Sequence, residues 1–337
     1  MVVPRKSLCG KTLFAATYTA LLALVPTQTF AAWEPEAQVE LVVPASADGS
    51  LDQTARLIQD IVVKHKLMKQ DLVVVNRRGG AGAEGFLEIK NAKGNPHKLL
   101  FAGNTLFTTP MSTGVPVSWK DTTPVAMMGL ESMMLWTRSS QYASARQYID
   151  AAKAAGPNKM KMGGVGSRQE DNMLEIMIER ATNAQFVYVP HRWGDDVAVA
   201  LAEGNVDSSL NRAAIAGWRA GTLTPQCVFN DARLPYKAKV TATSSWSDIP
   251  TCREAGIPAA YESLRGIFMT AGVTSDQLAY YVDLTEKIRA TPEWKAYMQQ
   301  WAFDQKFMTG KAFDDWLAKS EQTHKRLMEP ECFLAKC

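Results

Sequence analysis

"LVVPASADGSLDQTARLIQDI" occupies residues 41–61 and changes character twice. Three apolar residues stop at Pro44, and six small or polar residues follow, from Ala45 to Ser50. Apolar positions then recur at helical spacing, with Leu51, Ala55, Ile58 and Val62 on one face. The order is strand, tight loop, helix start. Ser50 and Gln53 have the spacing of a capping box. The loop is too short to pack a core of its own, and it lacks the Lys of a phosphate-cradling loop. What it can offer is backbone: free amides at the positive end of a helix dipole, which favour an anion. Asp52, in the first turn, would repel an anion on the helix axis. It is therefore expected to tie up loop amides locally, leaving those around Ser46, Ala47, Asp48, Gly49 and Ser50 for a ligand.

The same arrangement returns in "MKMGGVGSRQEDNMLEIMIERA", residues 160–181. A strand ends in glycines, Ser167 and Glu170 are spaced as a second capping box, and Met173, Met177 and Ala181 share the next helical face. Short apolar runs at 39–43, 72–75, 99–102, 125–130, 159–163, 186–189 and 267–270 predict strands. Amphipathic stretches at 51–68, 82–92, 168–182, 195–203, 275–290, 292–301 and 311–328 predict helices. The alternation predicts an α/β fold with mostly parallel sheets. Ligands bind such sheets at the carboxyl ends of the strands, where both small-residue loops fall.

Arg5, Lys6 and Lys11 precede an apolar run from Leu13 to Val25, followed by small residues at Thr29 and Ala31. That layout predicts a signal peptide over 1–31 and export to the periplasm. Its removal takes Lys plus Arg from 37 to 34, against 34 Asp plus Glu, so the exported chain is formally neutral. A basic face for nucleic acid is therefore not expected. The roughly 300 remaining residues suffice for two domains of ordinary size. Cys227, Cys252, Cys332 and Cys337 remain after the signal. In an oxidising compartment three pairings are open to them, and Cys227–Cys252 with Cys332–Cys337 is favoured because each closes a modest loop.

Other motifs lead nowhere. "GAGAEG" at 80–85 matches a dinucleotide-loop pattern, but no acidic residue ends the next strand. His65, His97, His191 and His324 show no ligand spacing and there is no C-x-x-C, so no metal and no cofactor are expected. No G-x-S-x-G occurs. A secreted hydrolase would have to pair His191 with a cleft serine, and that reading ranks below binding.

Taken in order, these stretches resemble the Bug-type extracytoplasmic solute receptors of tripartite tricarboxylate transporters. Pro44, Gly49, Asp52, Ala55 and Arg56 stand at the family's first-loop positions, with Ala47 and Asp48 replacing the usual Pro and first Gly. "VVVNRRGGAGAEG", "NPHKLLFAGNTLFTTP", "DTTPVAMMG", "VYVPHRWGDDVAVALAEGNVD" and "IPTCREAGIP" follow in family order. The resemblance implies a two-lobed, type II-like periplasmic binding protein with two mixed sheets, flanking helices and a central cleft. Lobe 1 would comprise 32–135 plus 256–337, and lobe 2 would comprise 136–255. The implied function is capture of a small carboxylate, delivered by a monomeric receptor to transmembrane permease subunits and not chemically changed. A sensing receptor is the alternative role. Family contacts map onto Ser46 to Ser50, Asn104, Thr105, Gly166, Ser167, His191, Arg192, Trp193 and Asn211. Arg168, Arg192 and Arg212 near the cleft would favour a second acid group, since a guanidinium meets a carboxylate in two parallel bonds. Trp193 and Phe107 could sandwich an aromatic acid.

Overall fold

The computed structural model describes residues 1–4 and 33–329. The expected signal peptide beyond residue 4, its cleavage point, and Cys332 with Cys337 lie outside these residues. The account below concerns the compact unit that begins at Trp33.

The chain runs β1 (Val39–Val43), α1 (Ser50–Lys64), β2 (Leu72–Asn76), α2 (Ala83–Asn91), β3 (Lys98–Ala102), α3 (Thr105–Thr113) and β4 (Thr122–Glu131). It continues with β5 (Met134–Arg138), α4 (Ala145–Ala155), β6 (Met160–Val165), α5 (Glu170–Thr182), β7 (Phe186–His191), α6 (Gly194–Glu203), β8 (Ser208–Ser209), α7 (Ala214–Arg219) and β9 (Leu223–Val228). Last come β10 (Ser263–Thr270), α8 (Ser275–Ala290), α9 (Pro292–Gln300), β11 (Phe303–Asp304) and α10 (Gly310–Met328).

Two sheets result, in the orders β11-β4-β10-β3-β1-β2 and β7-β6-β8-β5-β9. Each is mixed. β1 runs parallel to β2 and β3, and β6 runs parallel to β7 and β8. β10, β11 and β5 pair antiparallel, which makes the sheets less parallel than the βα alternation predicts. These strands enter on crossing connections, and periodicity does not encode their direction.

Strand alternation builds two cores on the first sheet. Val39, Leu41 and Val43 face α1, α8 and α9, while Val42 faces α2, α3 and α10. The second sheet is covered by α4 and α5 on one face and by α6 and α7 on the other. Cys227 and Cys252 form a disulfide across a sequence separation of 25. Among the described residues no helix is long and apolar enough to cross a membrane.

Candidate functional site

The loop after β1 is built by Asp52 and not by a capping box. Gly49 holds the cap position in extended conformation, Ser50 is the first residue of α1, and no side-chain cap bond forms. Ser50 Oγ donates instead to Glu131 Oε2 at 2.8 Å. Buried Asp52 accepts from the Asp48 amide, the Asn76 side-chain amide and Arg56 Nε, each at 2.9 Å. Burial pushes its carboxyl up, but these three bonds outweigh it and hold the group below its ordinary value. Gln53 Nε2 closes the turn on the Asp48 carbonyl at 2.9 Å. The amides of Ser46, Ala47, Gly49 and Ser50 find no acceptor among the described residues.

The loop after β6 repeats this plan with the work divided between two residues. Gln169 holds the cap of α5, so the box between Ser167 and Glu170 does not form either. The Arg168 amide, four residues before Asn172, donates to its Oδ1 at 3.0 Å. Asp171 accepts from the Val165 amide at 2.8 Å and from Asn211 Nδ2 at 3.3 Å. Burial raises the Asp171 carboxyl, because no cation accompanies it as Arg56 accompanies Asp52. Gly164 is required by close approach: a Cβ there would lie 2.4 Å from Tyr188 Oη and 2.5 Å from Asp171 Cβ. The amides of Ser167, Gln169 and Glu170 find no acceptor among the described residues.

The two helix starts meet at one guanidinium. Arg265 Nη2 donates to Ser50 Oγ at 2.9 Å, and Nη1 donates to Ser263 Oγ at 3.3 Å. Ser263 in turn donates to Glu170 Oε1 at 2.8 Å. Arg265 also pairs with Glu131, whose other oxygen lies 3.4 Å from Arg212 Nε. Arg212 reaches across from the second sheet's side and donates to Gln53 Oε1 at 2.6 Å. Burial pulls the Arg265 guanidinium down to about 10 and lowers that of Arg212. Glu170 is pushed up to about 7 by burial, against opposing bonds from Ser263 and the Asn104 amide. Gly103 gives Arg265 its room, since a Cβ there would sit 3.2 Å from Nη1.

The other expected contacts divide. Asn104 is buried, and its side chain is consumed structurally: it donates to Tyr261 Oη at 3.0 Å and the Glu262 carbonyl at 2.8 Å, and accepts from the Leu264 amide at 3.1 Å. Phe107 does not line a cleft as an aromatic clamp; it is buried and stacked on His324 with ring centroids 5.2 Å apart. Thr105, at the start of α3, is half-buried. Gly166 takes the left-handed conformation, and its amide donates to the His191 carbonyl. His191 Nε2 is buried with no partner among the described residues. Trp193 is exposed, with Arg192 and Arg78 over its ring at 5.1 and 6.0 Å. Arg168 is exposed and left-handed. Gly82, in the apparent dinucleotide motif, serves packing: a Cβ would lie 2.6 Å from the Pro44 carbonyl. No group of His, Cys, Asp and Glu among the described residues could hold a metal ion.

Glu131, Glu170, Ser263 and Arg265 were not legible as site residues. One signal was present: Arg265 is a lone charge in a strand buried at all eight positions.

Comparison with known proteins agrees with this architecture. The chain is 22% identical over 320 residues to the UPF0065 protein in gbd 5'region of Cupriavidus necator, covering 94% of each. A TctC solute binding protein from Polaromonas has 23% identity and a TM-score of 0.71 over 88% of this chain and 99% of that one. Rpa4515 of R. palustris, solved with adipate, has 18% identity and a TM-score of 0.74 over 88% of this chain and 97% of that one. The family model described as tripartite tricarboxylate transporter family receptor matches residues 53–331. The chain thus belongs to the tripartite tricarboxylate transporter receptors, a family of solute-binding proteins and not of enzymes.

Proposed function

We propose that this receptor works in the periplasm, where it captures a small dicarboxylate between its lobes and hands it to the permease of a tripartite transporter. The convergence of two helix N-termini, α1 and α5, on the buried guanidinium of Arg265 carries this reading. Each helix brings unpaired amides and the positive end of its dipole, and a carboxylate satisfies both. We assign 32–135 with 256–337 to one lobe and 136–255 to the other. In this assignment the amides of Ser46, Ala47, Gly49 and Ser50 meet one carboxylate. The amides of Ser167, Gln169 and Glu170, with His191 Nε2 and Arg212, meet the second. Adipate in a relative of the same fold is a molecule of this class.

Delivery couples to closure, because ligand bound to both lobes stabilises the form the permease reads. The test is a thermal-shift titration of the purified protein against mono-, di- and tricarboxylates. A dicarboxylate should raise the melting temperature with the logarithm of its excess over Kd. If no carboxylate shifts the transition at millimolar concentration, the reading fails.

A further inference from the structure

Two arginines in the interlobe cluster share one carboxylate. Arg265 and Arg212 have side chains only 5% and 10% exposed, and Glu131 between them is 6% exposed. Both guanidiniums have donor capacity left over: Arg265 Nε and Arg212 Nη1 are buried with no partner among the described residues. Phe303, cross-strand neighbour of Glu131, lies under both cations at 5.8 Å, and Trp301 lies 4.7 Å from Arg212. An aromatic floor of this kind holds guanidiniums in place without neutralising them. A further acid, Glu170, contacts Ser263 and not the arginines, and burial favours its neutral form up to about pH 7. Asp52 is already matched by Arg56. The cluster therefore carries one positive charge more than its own carboxylate balances.

We infer that Glu131 is a charge counter for the cleft: it occupies one guanidinium equivalent, so that the Arg212–Arg265 pair accepts one ligand carboxylate and repels a second. Together with the carboxylate held on the helix amides, this selects dicarboxylates over tricarboxylates. The inference rests on the receptor reading above and adds the residue that sets ligand charge. An ionised carboxylate brought beside Glu131 in a site of low dielectric meets strong like-charge repulsion. Removing that charge while keeping the shape should relax selection in one direction only.

Glutarate and propane-1,2,3-tricarboxylate form a matched pair, differing by one carboxylate on the central carbon. Calorimetric Kd values for both acids, with the unaltered protein and with Glu131→Gln, test the claim. The expected result is that Glu131→Gln raises the triacid-to-diacid affinity ratio by about tenfold or more, the scale of one charge-assisted hydrogen bond. An unchanged or lowered ratio overturns the inference while leaving the receptor reading intact. Failure of the unaltered protein to bind either acid at millimolar concentration defeats both. Arg212→Gln gives a second arm that retains the Arg265–Glu131 pair. It should weaken glutarate binding about tenfold or more, through loss of the surplus cation. Glutarate affinity equal to that of the unaltered protein would overturn the inference even if Glu131→Gln does not fold.

Discussion

Asp48 sits at a φ of 64°, a left-handed conformation that costs an L-residue roughly 1–2 kcal/mol and costs glycine little. Both of its hydrogen bonds are made by backbone atoms, its amide to Asp52 and its carbonyl from Gln53. Asp48→Gly should therefore keep the loop and raise unfolding stability by up to ~1 kcal/mol in urea titration. A loss of stability would show that the Asp48 side chain holds the turn. Two groups shifted by desolvation set opposite pH slopes. Glu170, raised to about 7 from 4.5, binds its proton more tightly when folded, so its contribution falls as pH rises between those values. His324 is lowered to about 4 from 6.5 by burial, so its contribution is lost as pH falls through that window. The terms largely cancel in the unaltered protein. Glu170→Gln should unmask the histidine, giving a melting temperature that drops more steeply from pH 6.5 to 4.5. Parallel pH profiles for the two proteins would contradict this assignment.

At the scale of elements, the seven predicted helices and seven predicted strands all have counterparts, because each carries an apolar period that burial then uses. α4, β5, α7 and β9 escaped, and α4 carried that signal, with Ala145, Tyr148, Ile149 and Ala152 buried at helical spacing. Other missed elements lacked it. β8 and β11 have two residues each, too few for a period. α3 reads TLFTTPMST, rich in β-branched residues and interrupted by Pro110, and becomes helical because Leu106, Phe107, Thr108 and Thr109 are buried. Both loops were legible as amide donors, and the role of Asp52 in holding its loop followed from its place in the first turn. The capping box at Ser50 failed because its Oγ, which would accept from an amide in such a box, accepts instead from Arg265 Nη2, 215 residues away, which no local pattern could reveal. Arg265 showed only as a lone charge in a strand that is otherwise apolar or small. α10 shows how one helix serves two regions: Phe313, Trp316 and Leu317 pack on the first sheet, while Leu327 and Met328 pack on Met173 and Ile176 of α5. Met328 is fully buried, so Met328→Ala should cost about 2–4 kcal/mol in urea unfolding. A cost under about 0.5 kcal/mol, the range of ordinary surface changes, would mean that the end of α10 does not anchor α5.

For the molecule as a whole, neutrality after the expected signal removes long-range steering and leaves recognition to local donors. Arg212 to Gln53, Ser263 to Glu170, and Arg78 over Trp193 each join elements of the first sheet's side to elements of the second's. Those contacts surround the same junction where α1 and α5 begin; under the proposed function a guest there would touch both lobes at once and favour closure. The most direct check is a crystal structure of the protein with a bound dicarboxylate. Carboxylate oxygens should lie within hydrogen-bond distance of amides from both 46–50 and 167–170. A ligand held by one of these loops alone, or seated away from Arg212 and Arg265, would contradict the convergence on which the function rests.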